Sequence, residues 1–302
     1  MVGSAVAALV AASALAAPPL PGWTHIDTGP DGGSVWQGVI PSPGFPGLRR
    51  DSAVYLPPGY PGRSRYPLLV VLHGFRGAPD SIVFGLRFAQ LADAEIASGR
   101  SRPFVAVMPV AGTSSRYDGE WAGPWERWVV GDVVPWARRS LPVLGGRADR
   151  AIAGYSAGGY GAVDIGLRHP RLFGTLESWS GYFRPFADGP LRGASRAVLA
   201  AHEPTRLAAR EARLLRRLGT RFYLSCGSTH DRITAAWART FDRELVRLRL
   251  PHDLVLRPGG HDGRFWRAQL PTALDYAFDA RVTLDAANRD AAAPDAGRRR
   301  PR

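Results

Sequence analysis

The stretch Arg150-Ala-Ile-Ala-Gly154-Tyr155-Ser156-Ala157-Gly158-Gly159, with its continuation to Pro170, decides the fold. A short apolar run leads into a G-x-S-x-G pentapeptide, and a small-residue helical pattern follows until Pro170, which cannot continue a helix. This order of strand, tight turn and helix predicts that the Ser156 hydroxyl is exposed on a strained turn. Gly154 and Gly158 then lie where strand and helix crowd together. Because a helix N-terminus favours developing negative charge, Ser156 is the candidate nucleophile.

Apolar runs of strand length alternate with helical patterns along the rest of the chain. The continuous run 68–72 is typical of a strand buried on both faces of a parallel sheet, and further strands are predicted at 104–110, 174–181, 221–225 and 253–257. Shorter alternating pieces at 34–40 and 52–56 predict antiparallel edge strands. Helical spacing predicts helices over 80–99, 126–140 and 265–278, and one with an apolar face made of Ile233, Trp237, Phe241, Leu245 and Leu248. The alternation predicts a mostly parallel central sheet with helices on both faces. Together with the G-x-S-x-G elbow, it predicts an α/β-hydrolase fold.

A serine hydroxyl is a weak nucleophile and needs a general base, which a carboxylate holds in the right tautomer. In this fold the partners follow in the order Ser, acid, His, each on a loop at the carboxyl end of a strand. Asp231 follows one late predicted strand and His261 follows the next. We therefore predict a catalytic triad of Ser156, Asp231 and His261.

The remaining histidines and acids fit this order less well. His230 lies before the expected position of the base, and His169 lies at the end of the helix after Ser156. His202 and His252 lie on helical or turn segments. Asp253 begins a strand and so lies at the wrong edge of the sheet, whereas Asp262 adjoins His261 and is free to bind nearby backbone.

Acyl transfer also needs two N–H donors for the oxyanion. In the hydrolase arrangement one is the residue after the nucleophile, here Ala157, and the other lies in the loop after an early strand. The segment His73-Gly74-Phe75 follows the run 68–72, so the Phe75 N–H is the predicted second donor. We interpret His73 as a structural histidine that orients this loop, with a catalytic base as the alternative.

Two segments border the predicted site. An aromatic loop contains Trp121, Trp125 and Trp128, and two interpretations stay open: a wall of an acyl or sugar pocket, or simple loop packing. Residues 182–218 interrupt the alternation of strands and helices. We predict that they form an excursion over the site, with a lid as one interpretation.

The chain of 302 residues has a formal charge of +13, and each of its 39 basic residues is arginine. These arginines are dispersed instead of forming one stripe, so we expect no specific nucleic-acid partner. A solvated basic surface, with weak salt-sensitive contact to anionic cell-surface polymers, is the expectation. The single cysteine, Cys226, excludes an intrachain disulfide and is interpreted as a small buried hydrophobe.

The two ends differ in composition from the middle. Residues 1–17 form an alanine-rich apolar run, and Ala14-Leu15-Ala16 matches an A-x-A cleavage site, which predicts a signal peptide. Because no basic residue precedes the run, the end of a membrane anchor is the alternative. A secreted or envelope-associated protein is expected, with a cytoplasmic one as the alternative. The Ala/Asp/Arg-rich composition of residues 285–302 predicts a disordered tail. Residues 18–284 are then predicted to form one catalytic domain.

Four segments carry a family resemblance: Val54-Tyr-Leu-Pro-Pro-Gly59, Tyr66-Pro-Leu-Leu-Val-Val-Leu-His-Gly74, Ala153-Gly-Tyr-Ser-Ala-Gly-Gly-Tyr-Gly161, and Pro258-Gly-Gly-His-Asp262 with Phe265-Trp266-Arg267 after it. They resemble the esterase-D-like α/β hydrolases, the family described as "Putative esterase", to which mycolyltransferase-type acyltransferases and feruloyl esterases are related. The resemblance spans about 34–278 and implies a metal-free serine enzyme without a cofactor. Gly263 departs from the pattern, since many members have an aromatic residue there, which implies a different local pocket shape.

Three functional hypotheses follow. The first is a carboxylic-ester hydrolase that forms an acyl-enzyme on Ser156 with a small-molecule, lipid or sugar ester. The second passes the same acyl group to a sugar or cell-wall hydroxyl. The third is a non-catalytic hydrolase-fold protein that binds anionic polymers, and the presence of Ser156, Asp231 and His261 argues against it. The sequence leaves the oligomeric state open.

Overall fold

The computed structural model describes residues 19–44, 51–62, 64–112 and 120–279. The predicted signal peptide or anchor at 1–17 and the predicted tail at 285–302 lie outside these residues, so both stay predictions. Within the described ranges, one sheet contains these strands: β1 (Thr24–Thr28), β2 (Ser34–Gly38), β3 (Ser52–Leu56), β4 (Leu68–Leu72), β5 (Val105–Met108), β6 (Arg150–Tyr155), β7 (Thr175–Trp179), β8 (Arg221–Gly227) and β9 (His252–Arg257).

The strand order across the sheet is β1-β2-β3-β5-β4-β6-β7-β8-β9. Strands β1, β2 and β3 pair antiparallel, and β3 also pairs antiparallel with β5. From β5 to β9 all neighbours are parallel. The predicted antiparallel edge and mostly parallel sheet are therefore confirmed. The outermost strand β1 was not predicted, because its sequence Thr-His-Ile-Asp-Thr has only one apolar residue.

Helices cover both faces of this sheet. They are α1 (Pro79–Val83), α2 (Phe88–Ala97), α3 (Pro124–Arg127), α4 (Val134–Ser140), α5 (Ala157–Arg168), α6 (Arg196–Ala201), α7 (Pro204–Arg217), α8 (Arg232–Arg247) and α9 (Gly263–Phe278). A π-helical segment, Trp128–Val133, joins α3 to α4. No helix in the described ranges combines the length and the apolar character that a membrane crossing requires.

The central strand β4 shows how the core is divided. Leu68, Val70 and Leu72 point into one hydrophobic cluster, which also contains buried residues of α3–α5, α7 and α8. Leu69 and Val71 point into a second cluster, with buried residues of α1, α2 and α9. All five β4 side chains are buried, as expected for a strand between two helical layers.

The helices depart from the predicted boundaries at two places. The predicted helix 80–99 is broken into α1 and α2, because Arg87 adopts a left-handed conformation with φ of 55°. The predicted helix 126–140 is continuous but contains the π-helical segment just before Pro135. Since proline has no N–H, it cannot close the regular hydrogen bond of the preceding turn, and a wider turn accommodates it.

The excursion between β7 and β8 has two different parts. Helix α7, the arginine-rich part, buries Leu207, Ala208 and Leu215 in the first core cluster and is an ordinary crossover helix. Only the beginning of the excursion borders the predicted site, as described below. In the next crossover helix, α8, the predicted inward position of Ile233 is wrong: its side chain is 75% exposed, because Thr234 and Ala235 occupy the buried side of the first turn.

Candidate active site

Ser156 lies at the junction of β6 and α5, with φ of 54° and ψ of −121°. This backbone conformation is strained for a residue with a side chain. The Ser156 N–H donates to the carbonyl of Trp179 in β7 at 2.9 Å, and the Ser156 carbonyl accepts from the Tyr160 N–H at 3.1 Å. These two bonds hold the turn between the sheet and the helix, so the predicted strand–turn–helix arrangement is confirmed.

Close packing explains the two glycines of the pentapeptide. A Cβ atom on Gly158 would lie 2.1 Å from the carbonyl oxygen of Leu72, and one on Gly154 would lie 2.5 Å from the carbonyl oxygen of Gly158. No real Cβ approaches backbone so closely. The predicted crowding of strand and helix at these glycines is therefore confirmed.

Three parallel strands bring the predicted triad residues together. Ser156 follows β6, Asp231 follows β8 and His261 follows β9, and the carboxyl ends of parallel strands lie at the same edge of the sheet. The Nε2 atom of His261 is 2.8 Å from the Ser156 Oγ, and its Nδ1 atom is 3.0 Å from an oxygen of Asp231. All three side chains form one continuous hydrogen-bonded chain.

The Asp231 carboxylate sets the tautomer of His261. Burial favours the neutral acid, but interactions with the side chains of His261 and Thr234 outweigh it, and the pKa of Asp231 is lowered below its ordinary value. An ionised carboxylate only accepts hydrogen bonds, so Nδ1 carries the proton and donates it. Nε2 is then left to accept from the Ser156 hydroxyl, which is the arrangement a general base requires.

The Trp266 side chain supports His261 from one side. The two rings meet edge to face, with centroids 5.1 Å apart, and Trp266 in turn stacks on Tyr155 with centroids 4.4 Å apart. The Tyr155 hydroxyl lies 2.6 Å from the Ser81 hydroxyl. The residue before the nucleophile is therefore connected to the base by packed aromatic rings.

A cavity of about 240 Å³ opens above Ser156. Its lining residues are Phe75, Ser156, Ala157, Tyr182, Phe186 and Asp188. The two predicted oxyanion donors, Phe75 and Ala157, thus belong to the same cavity as the nucleophile. Ala157 is the first residue of α5, so its N–H has no acceptor within the helix. The role of both N–H groups stays a prediction.

The buried His73 side chain holds the loop that precedes Phe75. The Ala111 N–H donates to its Nε2 at 3.2 Å, so the proton is on Nδ1, which donates to the Gly74 carbonyl at 2.9 Å. His73 lies in the interior and does not line the cavity above Ser156. These contacts support the structural interpretation of His73 over the catalytic one.

The tryptophans of the aromatic loop are core residues. Trp121 and Trp128 are fully buried, and Trp125 is nearly so. The Trp121 indole N–H donates to the His73 carbonyl at 2.9 Å, and that of Trp128 donates to the Val110 carbonyl at 3.0 Å. Loop packing is thus the interpretation that the structure favours, although Trp121 also supports the loop that carries Phe75.

The alternative residues have other partners. His169 contacts Glu126 at 2.8 Å, His202 contacts Asp164 at 2.7 Å and His252 contacts Asp242 at 3.2 Å. The Asp262 carboxylate accepts from the Phe265 N–H at 3.0 Å and caps α9. Cys226 is buried as predicted, and burial raises the pKa of its thiol to about 12, which suits a core residue better than a nucleophile.

Sequence reasoning missed the buried carboxyl of Glu120. The Tyr182 hydroxyl donates to its two oxygens at 2.9 and 2.8 Å, and the Phe186 N–H donates at 3.1 Å. Burial is the main cause that raises the pKa of Glu120 to about 8. Tyr182 and Phe186 both line the cavity, so their hydrogen bonds to Glu120 fix the position of one cavity wall. Among the described residues, no group of three or more His, Cys, Asp and Glu side chains is arranged to bind a metal ion.

The fold and the arrangement of Ser156, His261 and Asp231 together define the α/β-hydrolase class. Residues 46–277 match the model of the family described as "Putative esterase", and the chain belongs to this family. The resemblance seen in the sequence motifs is thereby confirmed.

Curated relatives resemble part of the chain. An esterase of Mycobacterium tuberculosis is 30% identical over 134 residues, which are 42% of this chain and 28% of that protein. An endo-1,4-beta-xylanase/feruloyl esterase of Xylanibacter ruminicola is 29% identical over 144 residues, 45% of this chain and 20% of that protein. The matched region thus spans less than a third of either relative.

Solved structures show the same fold over most of the chain. A ferulic acid esterase superposes with a TM-score of 0.70 at 21% identity, over 82% of this chain and 98% of the other. An S-formylglutathione hydrolase from Agrobacterium tumefaciens gives a TM-score of 0.68 at 16% identity, over 85% and 98% of the two chains. These likenesses establish the α/β-hydrolase fold.

Proposed function

We propose that the protein hydrolyses carboxylic esters through an acyl-enzyme on Ser156. The observation that carries this proposal is the hydrogen-bonded chain from Ser156 through His261 to Asp231, at 2.8 and 3.0 Å, on an elbow that opens into a cavity. Membership of an esterase family supports the same reaction. No cofactor takes part in the proposed steps.

The Ser156 Oγ attacks the carbonyl carbon of the ester while its proton moves to His261 Nε2. The Asp231 carboxylate stabilises the imidazolium, and the N–H groups of Phe75 and Ala157 donate to the oxyanion. When the intermediate collapses, Nε2 returns the proton to the departing alcohol and the acyl group stays on Oγ. Water, deprotonated by Nε2, then attacks the acyl carbon. When this second intermediate collapses, Nε2 returns the proton to the Ser156 Oγ and the acid is released.

The cavity walls favour an uncharged acyl group with an apolar, planar portion. Phe75 and Phe186 are large aromatic side chains that are 49% and 53% exposed, and Tyr182 completes the aromatic lining. Asp188 contributes a carboxylate, which repels an acyl group with a negative charge near it. Two of the relatives are named for feruloyl or ferulic acid esters, which contain an aromatic acyl group. We therefore propose esters with an uncharged aromatic acyl group as the substrate class.

Ester turnover with and without a sugar acceptor tests the proposed reaction. The full chain is incubated with p-nitrophenyl acetate, butyrate and cinnamate, and then again with added glucose or trehalose. Free acid in proportion to p-nitrophenol, unchanged by the sugar, supports hydrolysis. An acylated sugar formed at the expense of free acid supports the acyltransferase hypothesis instead. Absence of turnover with every ester, in a correctly folded preparation, contradicts both and leaves the non-catalytic binder.

A further inference from the structure

A second cleft lies beside the two loops that carry Asp231 and His261. Its volume is about 350 Å³, and among the described residues it shares none of its lining with the cavity above Ser156. Its polar lining side chains are His230, Arg257, Asp262, Arg264 and Gln269. The mechanism proposed above uses none of them.

The cleft is rich in donors that lack a protein acceptor. Within the described ranges, the guanidinium groups of Arg257 and Arg264 form no ion pair or hydrogen bond with another residue, and the His230 ring forms none either. Both arginines are exposed, so their guanidinium groups are accessible to a ligand in the cleft. A guanidinium presents five N–H donors in a fork that fits carboxylate and phosphate oxygens.

The floor of the cleft adds a buried amide. Gln269 is only 2% exposed, and its Oε1 atom accepts from the Tyr223 hydroxyl at 3.3 Å. This bond orients the amide, so Nε2 is left without an acceptor among the described residues while the side chain lines the cleft. A ligand bound in the cleft can accept a hydrogen bond from this oriented amide.

Two further groups shape the charge of the cleft. Arg264 lies in the first turn of the sixteen-residue helix α9, where the helix dipole favours negative charge. Asp262 is the acidic residue in the lining, but one of its oxygens is already used to cap α9 through the Phe265 N–H. Two guanidinium groups against one carboxylate leave the cleft with a net positive charge.

We propose that this cleft is a binding site for an anionic group, a carboxylate or a phosphate, which Arg257 and Arg264 hold from the sides and Gln269 from the floor. The site adjoins the loops that carry Asp231 and His261. His230 directly precedes Asp231, and its N–H donates at 2.9 Å to the carbonyl of Gly259, two residues before His261. The anion is either free in solution or part of the alcohol portion of the ester.

Isothermal titration calorimetry of the full chain with inorganic phosphate and with glucuronate, at constant ionic strength set by chloride, tests the site. Saturable binding is expected for the wild type, and the double variant Arg257→Gln/Arg264→Gln should raise the Kd at least tenfold. The matched control, Arg213→Gln/Arg239→Gln, removes two exposed arginines of α7 and α8 and should change the Kd less than twofold. Should the cleft double variant fail to fold, Arg264→Gln alone serves, with at least a threefold rise expected.

Kinetics separate the two sources of the anion. If it belongs to the substrate, the cleft variant lowers kcat/KM for an ester whose alcohol bears a carboxylate, relative to the neutral ester. If it is free, only the calorimetric Kd changes. Binding is measured in Ser156→Ala as well, so the result does not depend on the proposed reaction. Absence of saturable binding to the wild type, or an equal loss in the control double variant, overturns the proposal.

Discussion

The Nε2 atom of His261 lies 2.8 Å from the Oγ atom of Ser156, although 105 residues separate them in the chain. The contact joins a loop after β9 to the turn after β6, and it depends on Asp231, whose carboxylate holds the other ring nitrogen. The proposed reaction depends on this hydrogen-bonded chain.

Asp231→Asn should lower kcat by on the order of 10³–10⁴-fold with little change in KM. An amide in place of the carboxylate neither fixes the proton on Nδ1 nor stabilises the imidazolium. The matched control is Asp242→Asn, which makes the same change next to His252 in another Asp–His contact. It should change kcat by less than about threefold. Steady-state kinetics with p-nitrophenyl butyrate measure both, and equal losses in the two variants would contradict the assignment.

Glu120→Gln should change how stability depends on pH. The pKa of Glu120 is about 8 in the folded protein against 4.5 as the ordinary value, so between these values the folded state holds a proton that the unfolded state has released. The stabilisation is therefore complete below about pH 4.5 and is lost as the pH rises to 8. Between pH 5 and pH 8 the stability advantage of wild type over Glu120→Gln should shrink by up to roughly 4 kcal/mol.

Urea unfolding at pH 5, 6, 7 and 8 measures this difference. Glu244→Gln is the control, because its Arg247 partner lowers the pKa of Glu244, which is then mostly ionised in both states from pH 5 to pH 8. The difference between wild type and the control should stay constant with pH. A constant difference for Glu120→Gln as well would show that its carboxyl does not hold the proton.

Gly158→Ala should cost about 3 kcal/mol or more of stability and most of the activity. The new methyl group would come within 2.1 Å of the Leu72 carbonyl oxygen, so either the strand or the elbow must move. Gly131→Ala is the control, since nothing lies within 4 Å of a Cβ at that exposed helical position. There we expect between no change and about 1 kcal/mol of stabilisation. Thermal unfolding and ester turnover check both, and a wild-type melting temperature for Gly158→Ala would refute the crowding argument.

Local sequence patterns were sufficient to predict the elbow and the three side chains that meet beside it. The pentapeptide stands between an apolar run and a helical pattern, and Asp231 and His261 each follow a recognisable strand. Parallel strands bring their carboxyl ends to one edge, so the meeting of these residues follows from topology. The structure adds the distances and the tautomer of His261, which no sequence pattern contains.

Features that depend on contacts between distant segments were not predictable in the same way. Glu120 lies 62 residues from Tyr182 and 66 from Phe186, so the partners of its buried carboxyl belong to a segment distant in sequence. The role of Trp121 depends on its bond to the carbonyl of His73, which is likewise distant in sequence. The sequence contained one indication of the break between α1 and α2, which is Gly85. In the structure, a Cβ at this position would lie 2.2 Å from the Ser81 carbonyl oxygen.

The central claim is that Ser156 is the nucleophile, and covalent labelling tests it most directly. The full chain is treated with a fluorophosphonate, and intact mass and peptide mapping locate the adduct. We expect one adduct per chain on Ser156 in the wild type and none in Ser156→Ala, which should keep the melting temperature of a folded protein. Equal labelling of Ser156→Ala, or an adduct on a different residue of the wild type, would contradict the account.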